Sequence, residues 1–150
     1  MRVVRHLARL PAKLERTVLT LGNFDGVHLG HQAIVRGAVA RARELGGQAV
    51  ALTFEPHPLT VLAPERAPAM VQSLHDRLAL MRALGIDVAV LQRFTRRFAA
   101  LDPEPFVQDF LLRHLDLRHV VVGYNVSFGR ARAGTGETLR QLGGRSGFTV

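Results

Sequence analysis

The chain alternates short runs of apolar residues with longer segments in which apolar residues recur at helical spacing. Four runs are continuous, have the length of strands and predict buried strands: residues 18–21, 49–54, 88–91 and 120–122. Continuous apolar runs are typical of parallel strands that are covered on both faces. Residues 2–7 predict a short edge strand, and residues 148–150 resemble the beginning of another strand.

The segments between these runs carry helix signals. Before a stop at Gly46-Gly47, small and apolar residues recur at helical spacing: Ala33, Ile34, Gly37, Ala38 and Ala42. A second helix is expected to begin at Ser73, where Asp76 completes a capping-box pattern, and to bury Leu74, Leu78, Met81 and Leu84. A third is expected after Asp102 as N-cap and Pro103 in the first turn, with a helical face of Phe106, Val107, Phe110, Leu111 and Leu115. A short helix is expected at about residues 137–142. Strands and helices alternate throughout, which predicts an α/β fold with a doubly wound, mostly parallel sheet.

Length and composition narrow the possible classes of protein. A chain of 150 residues suffices for one compact domain, and 47% hydrophobic with 21% charged residues is a globular composition. No apolar run approaches the roughly 20 residues of a membrane span, and the N-terminal residues lack the apolar core of a secretory signal. The absence of cysteine excludes disulfides and thiolate ligands. We therefore expect a cytoplasmic protein with no membrane partner.

The net charge of +8 comes almost wholly from arginine, since Lys13 is the only lysine. Such a balance favours anionic partners, either nucleotides or nucleic acid. Most arginines fall at positions compatible with exposed helix faces, among them Arg36, Arg41, Arg43, Arg77, Arg82, Arg113 and Arg118, and a candidate anion patch at Arg93, Arg96 and Arg97. With no tryptophan and one tyrosine there are few platforms on which bases could stack, so charge alone does not predict a nucleic-acid partner.

The chemistry-bearing stretch is TVLTLGNFDGVHLGHQ, residues 17–32. A strand, a glycine-bearing turn and a helix start suit an anionic ligand, because glycines let the backbone approach closely and the first helical N–H groups point outward. His28 and His31 are three residues apart, so both imidazoles are expected on the same side of the first helical turn. Two imidazoles beside free N–H groups could hold a polyphosphate without a covalent step.

Two further loops follow predicted parallel strands. Residues 55–59 contain Pro56 and Pro58 and are not expected to form regular structure. Residues 123–132 contain Asn125 and begin a glycine-rich segment. Because ligands bind beyond the carboxyl ends of the strands in open α/β sheets, the three loops are expected to converge on one crevice. The other histidines, His57, His75, His114 and His119, are expected to be structural or exposed.

These motifs carry a family resemblance. GNFDGVHLGHQ resembles the His-x-Gly-His signature of nucleotidyltransferases, and in particular that of the FMN adenylyltransferase (FAD synthetase) branch. TFEPHP resembles a second motif of that branch, and VVVGYNVSFGRARAG resembles a third, with Asn125, Phe128 and Gly129 matching and Val126 departing from a phenylalanine. The motifs span most of the chain. The resemblance implies a Rossmann-like nucleotidyltransferase fold.

The resemblance also implies a reaction, in which the phosphate of FMN attacks the α-phosphorus of ATP to give FAD and pyrophosphate. His28, His31 and Asn125 would be catalytic, with Asn125 contacting the nucleotide or the flavin phosphate. ATP would bind to the turn and the helix start, at Gly22, Asn23, Phe24, Asp25, Gly26 and Gly30, where Asp25 would shape the turn. FMN would lie among Pro56, Pro58, Leu62, Phe106 and Phe128. Mg²⁺ is expected with ATP, bound mainly by phosphate oxygens, so no residue is assigned as a metal ligand.

Family members carry a Ser/Thr-rich segment that ends in an arginine downstream of the third loop, commonly followed by a riboflavin kinase barrel. Neither pattern occurs within residues 1–150. The chain is therefore expected to be an FMN adenylyltransferase domain truncated at its C-terminus, with the kinase domain in the full-length protein. Two alternatives remain open: a related nucleotidyltransferase with another phosphate acceptor (phosphopantetheine, nicotinamide mononucleotide or glycerol phosphate), and a non-catalytic nucleotide- or RNA-binding module.

Overall fold

The computed structural model describes residues 1–150 and contains one sheet of five strands. The strands are β1 (Arg2–Arg5), β2 (Leu14–Leu21), β3 (Gln48–Glu55), β4 (Val88–Arg93) and β5 (Leu115–Val121). Their order across the sheet is β1-β4-β3-β2-β5, and every neighbouring pair is parallel. The predicted α/β class with a doubly wound, mostly parallel sheet is confirmed.

The direction in which strands are added reverses at β2. From β2 the chain moves outward through β3 to β4, and it later returns to place β5 on the other side of β2, so that Val18 lies between Ala49 and His119. In open parallel sheets the carboxyl ends of the strands at such a reversal border a crevice in which ligands bind. The loops that follow β2 and β5 both open at this edge. The topology therefore indicates the candidate site before any side chain is considered.

Helices cover both faces of the sheet. They are α1 (Leu29–Glu44), α2 (Pro58–Leu62), α3 (Leu74–Ala83), α4 (Arg96–Ala99), α5 (Pro103–Pro105) and α6 (Gly136–Ser146). A π-helical segment, Phe106–Leu111, continues α5, and there are short 3₁₀ turns at Leu7–Arg9, Asp25–Val27, Pro64–Arg66 and Arg130–Arg132. At the predicted start of a further strand, Thr149 forms an isolated parallel bridge with His119 of β5.

A separate hydrophobic core lies on each face, because successive residues of a strand point to opposite sides. Along β3, Ala49 and Ala51 belong to one core and Val50 and Leu52 to the other. The first core also contains small residues of α1 and Met81 of α3. Small side chains on both the strand and the helix let α1 lie close to the sheet. The second core is built from larger residues. Against the strand side chains it places residues of the π-helical segment and α6, such as Phe106, Leu111, Leu139 and Leu142.

Several boundaries differ from the sequence-based expectations. β2 begins at Leu14 and β5 at Leu115, so Leu115 is a strand residue and not part of a helical face. The start of β5 was missed because buried leucines alternate there with the more exposed Asp116 and Arg118. α2 begins at Pro58, inside the segment expected to be irregular, since a proline at the first helical position gives up no intrahelical hydrogen bond.

Helix caps and buried faces were predicted with mixed success. Ser73 caps α3 as expected, because its hydroxyl accepts from the backbone N–H of Asp76. Asp102 occupies the N-cap position of α5 but makes no capping hydrogen bond, and its carboxylate pairs with Arg130 at 2.8 Å. In α1 the buried residues are Val35, Ala38 and Ala42, whereas Ala33 and Gly37 are exposed.

The expectation of an exposed position is wrong for Arg77. Its side chain in α3 is only 2% exposed, and it is the one buried residue of the molecule that carries a formal charge. The sequence spacing indicates that Arg77 is buried, because it lies three residues after Leu74 and four before Met81, within the apolar stripe.

Candidate active site

Two histidines lie at the start of α1, directly after the turn that leaves β2. His28 is the N-cap residue, and its Nδ1 accepts a hydrogen bond from the backbone N–H of His31 at 3.4 Å. The two rings stack, with centroids 3.7 Å apart and 24° between their planes. The expectation that both imidazoles face the same side is confirmed. Because Nδ1 of His28 is an acceptor, the neutral ring carries its proton on Nε2, which can donate to a ligand.

His31 is more enclosed than His28. Its ring packs edge-on against Phe24 with centroids 5.4 Å apart, and its Nδ1 is buried without a hydrogen-bond partner. Burial lowers the pKa of His31 below the ordinary 6.5, and the neighbouring His28 lowers it further, against an opposing effect of Asp25. His31 is therefore neutral at neutral pH and offers one N–H donor.

Gly30 leaves room for the His28 ring. A Cβ atom at Gly30 would come within 3.2 Å of Cε1 and Nδ1 of His28, so a side chain there would press on the imidazole. The first N–H groups of a helix have no intrahelical partner and carry the positive end of the helix dipole. The helix start therefore presents an imidazole donor and bare amides together, which is the arrangement that binds phosphate.

The turn between β2 and α1 is strained. Phe24, Gly26 and Val27 all have positive φ, at 51°, 76° and 35°, a region that only glycine adopts without cost. Each non-glycine residue in that region costs on the order of 1–3 kcal/mol and persists only where its surroundings enforce it. Here Phe24 is fully buried, and the side chain of Gln32 donates to the carbonyl of Val27 at 3.1 Å. Such strain concentrates at functional turns.

Asp25 holds the segment that precedes α3. Its carboxylate accepts hydrogen bonds from the backbone N–H groups of Val71 and Gln72 at 3.0–3.2 Å. Partial burial raises the pKa of Asp25, but these hydrogen bonds and the positive charge of Arg77 outweigh it, so the net pKa lies below the ordinary value. The observed contacts of Asp25 are those of a residue that shapes the turn.

Asn23 is fixed at both its backbone and its side chain. Its carbonyl accepts from Oγ1 of Thr53 at 3.0 Å and from Nη1 of Arg77 at 2.7 Å. Arg77 also donates from Nη2 to Glu55 at 3.0 Å. The contacts of Arg77, Thr53 and Glu55 are not visible in the sequence pattern, because they join residues that are 22 to 54 positions apart.

His57 joins the loop after β3 to the loop after β2. Its Nε2 lies 3.1 Å from the side-chain amide of Asn23, and its Nδ1 accepts from the backbone N–H of Leu59. The group of Asn23 that faces Nε2 is the amide nitrogen Nδ2, and the direction of this hydrogen bond depends on the tautomer of the His57 ring. These contacts tie the two loops together, and the expectation that His57 is structural stays a prediction.

The loop after β5 carries Asn125 at its exposed start. The Asn125 side chain is exposed and makes no hydrogen bond within the protein. Further along, Phe128 and Gly134 exchange backbone hydrogen bonds, which close the loop. A Cβ atom at Gly134 would lie only 2.7 Å from the Phe128 ring, so glycine is required there.

The predicted flavin-binding residues divide into two groups. Pro56, Pro58 and Leu62 lie in and after the loop that follows β3, and all three are at least partly exposed. Phe106 and Phe128 are buried in the second core, with ring centroids 5.3 Å apart. Phe106 is only 3% exposed, so its ring has no open face for a ligand, and its contact with flavin stays a prediction.

A run of aromatic rings connects these two groups. Phe54, just before the loop, lies 5.9 Å from Phe98, and Phe98 lies 6.0 Å from Phe106 between ring centroids. Phe54 and Phe98 are partly exposed. These two rings are the accessible end of an apolar wall that begins two residues before Pro56, and neither was among the predicted site residues.

A cavity of about 350 Å³ opens at the carboxyl end of β5. It is bordered by residues 119–124, by the first turn of α6 and by Val150. None of the predicted site residues lines it, although Tyr124 does and is next to Asn125 in the chain. The cavity borders the loop and the helix that follow β5, and the histidine pair lies at the start of the helix that follows β2. These two strands are neighbours at the strand-order reversal.

The family model of FAD synthetase matches residues 10–150. The chain belongs to the FAD synthetase family. Among curated proteins, the bifunctional riboflavin kinase/FMN adenylyltransferase of Escherichia coli K12 is 37% identical over 151 residues, which cover all of this chain and 48% of that protein. The protein of the same description from Listeria monocytogenes is 42% identical over 118 residues, which cover 78% of this chain and 37% of the relative. This member of the FAD synthetase family thus spans about half the length, or less, of these relatives.

A solved structure shares the fold of this FAD synthetase family member. It is described as a macrolide-efflux protein from Streptococcus pneumoniae, with a TM-score of 0.82 and 23% identity, over all of this chain and 49% of that one. At this identity the likeness concerns the fold alone. Among the helices of the chain, none combines the length and the hydrophobicity required to cross a membrane.

Proposed function

We propose that the chain transfers AMP from ATP to FMN, giving FAD and pyrophosphate. The observation that carries the proposal is the stacked pair His28 and His31 at the start of α1, beside the strand-order reversal of the sheet. Membership of the FAD synthetase family and the description of the relatives as FMN adenylyltransferases support it. The alternative acceptors left open by the motifs remain outcomes of the experiment below.

In the proposed reaction a phosphate oxygen of FMN forms a bond to the α-phosphorus of ATP. The bond between that phosphorus and the oxygen bridging to the β-phosphate breaks, and pyrophosphate leaves with the electron pair. No enzyme nucleophile is needed, so the rate must come from positioning and from stabilisation of charge. As charge builds on the leaving group, the triphosphate would accept hydrogen bonds from Nε2–H of His28, the N–H of His31 and the bare amides around Gly30.

We assign the two substrates to different loops. ATP would bind to the turn from Gly22 to Gly26 and the start of α1, and the flavin ring beside Pro56, Pro58 and Leu62 against the apolar wall that ends in Phe54 and Phe98. Asn125, whose side chain is exposed and makes no hydrogen bond, would contact a phosphate between them. The roles of these residues are proposals that the substitutions below test.

Mg²⁺ would enter with ATP. No group of three His, Asp or Glu side chains is placed to hold a metal ion, and the carboxylate of Asp25 is occupied by two backbone amides. We propose that phosphate oxygens would hold the metal for the most part and that the metal would neutralise charge on the triphosphate. We further propose a cytoplasmic location and, since the relatives are bifunctional, a riboflavin kinase domain in the full-length protein.

The deciding experiment is an assay for FAD with FMN, ATP and Mg²⁺, in parallel with phosphopantetheine, nicotinamide mononucleotide and glycerol phosphate as acceptors. Formation of FAD together with pyrophosphate, and no product from the other acceptors, is the expected result. A product with another acceptor would change the substrate assignment. No product with any acceptor, together with salt-sensitive RNA binding, would favour the binding-module alternative.

A further inference from the structure

Arg77 stands apart from the other arginines of the chain. Among the buried residues it alone is charged, and its guanidinium makes three contacts, with Asn23 O at 2.7 Å, Glu55 Oε2 at 3.0 Å and Thr53 Oγ1 at 3.5 Å. Its Nε has no partner. Burial of a charged group is unfavourable unless hydrogen-bonding partners compensate for the lost hydration. An apolar residue at this position of the helix would avoid the unfavourable burial of a charge. The presence of arginine there therefore calls for a functional explanation.

The contacts of Arg77 join the ends of two strands. Asn23 lies in the turn that leads from β2 to His28, while Glu55 ends β3 and precedes Pro56. Oγ1 of Thr53 donates to the same carbonyl of Asn23, and His57 contacts the side chain of Asn23. Arg77 therefore lies beneath the junction of the histidine turn and the proline loop and binds both at once.

We propose that Arg77 is a positioning residue that sets the separation between the triphosphate-binding turn and the flavin-binding loop. The inference rests on the proposed function, because it assumes that each loop holds one of the two reacting substrates. A guanidinium can hold two acceptors in a fixed geometry, since its donors are rigid and planar. When the two loops keep one spacing, the flavin phosphate and the α-phosphorus meet in line. When the spacing varies, each loop can still bind its own substrate.

This role makes a prediction that a purely structural role does not. In Arg77→Met, the rate of the transfer step should fall by about 100-fold, the scale on which misplacement by about 1 Å slows a reaction. The separate dissociation constants for FMN and for ATP should change by no more than about threefold, because each loop remains intact. Arg77→Lys keeps a cation that can reach one or two of the acceptors, so it should recover most of the transfer rate.

The matched control is Arg82→Met. Arg82 lies on the same helix, is exposed and makes no ion pair, so this variant should transfer at the normal rate. Single-turnover rates measured per folded molecule, well below the unfolding temperature, separate the transfer step from stability. Because burial makes Arg77→Met the variant most prone to misfold, Glu55→Gln serves as a second test. The Glu55 side chain is 44% exposed, and removal of its charge should slow transfer at least threefold with both dissociation constants unchanged.

A normal single-turnover rate in folded Arg77→Met would overturn the inference, as would a loss that lies entirely in the affinity for one substrate. If Arg77→Met does not fold, a normal rate in Glu55→Gln has the same consequence. Failure of the proposed function itself is distinguishable, because the unmodified chain would then form no FAD. The positioning role is thus measured only against a parent protein of established activity.

Discussion

At the scale of single residues, the two stacked imidazoles limit how much positive charge the site can carry. Ring centroids 3.7 Å apart leave no room for two protonated rings without strong repulsion. The buried Nδ1 of His31 adds a penalty for a second proton, because a charge there would lack a partner. In the proposed function the free site would therefore recognise an anion through N–H donors and helix amides more than through fixed charge.

The first prediction concerns His28. Replacement by alanine removes one donor to the leaving pyrophosphate, and should lower the transfer rate by roughly 10²–10³, the scale measured for loss of one charge-stabilising donor. The fluorescence of FMN should still be quenched on binding, because His28 lies in the triphosphate-binding turn and not in the flavin-binding loop. His75→Ala is the matched control, since His75 is exposed and makes no hydrogen bond. A normal rate in the His28 variant would remove this residue from the mechanism.

The second prediction concerns the pKa of His31. Because burial and His28 depress the pKa in the folded chain, the unfolded state binds more protons just below pH 6.5. The contribution of His31 to the free energy of unfolding is therefore present above pH 6.5 and is lost as the pH falls through the folded pKa. Denaturant titrations of the chain and of His31→Gln at several pH values should show a steeper acid loss in the parent. His119, whose pKa is also lowered by burial, is present in both proteins and cancels.

NMR titration gives an independent readout of the same group. The ring of His31 should titrate below 6.5 in the free chain, and its pKa should rise when a triphosphate binds, because an anion favours the protonated ring. A pKa at or above 6.5 in the free chain would contradict the enclosed position of the ring.

At the scale of elements, the sequence predicted what depends on local pattern. The buried strands, the helix after the histidines and the Ser73 cap are visible in hydrophobic runs and capping residues. The edge strand β5 was only partly visible, because one side of it is polar at Asp116 and Arg118 and its pattern alternates. The pairing of Asn23 with Arg77 and His57 was not visible, since it depends on how α3 and the loops dock. Local periodicity does not encode such long-range contacts.

The third prediction concerns the connection between the histidine turn and α3. Asp25→Ala removes the acceptor for the N–H groups of Val71 and Gln72 and should lower the free energy of unfolding by about 1–2 kcal/mol. Hydrogen exchange at these two amides should accelerate, while exchange in the β3 ladder should change only by the global loss of stability. Asp109→Ala is the control, because Asp109 is exposed and makes no hydrogen bond. Unchanged exchange at Val71 and Gln72 would show that other contacts hold this segment.

At the scale of the whole molecule, the strand order decides where function can lie. Reversal at β2 brings the histidine turn beside the loop after β5, although more than 90 residues separate them in the chain. The motifs alone predicted convergence of three loops, and the sheet explains it for the loops after β2 and β5, which flank the reversal. The loop after β3 joins them through Asn23 and His57. Which of these loops holds which substrate is a matter of side-chain chemistry, and the fold does not decide it.

The last prediction concerns a polypeptide that continues past Val150. Thr149 pairs with β5 through hydrogen bonds of 2.9 and 3.1 Å, and a parallel strand continuing from it would run beside Val121 toward the cavity of about 350 Å³. The family resemblance implies a Ser/Thr-rich segment ending in an arginine downstream of this point, whose donors would add to those of His28 and His31. We therefore expect a polypeptide that includes that segment to form FAD about 100-fold faster or more, by the scale of one added charge-stabilising donor. Side-by-side single-turnover assays of the two forms provide the measurement. Equal rates would mean that residues 1–150 already contain every group that the transfer step requires.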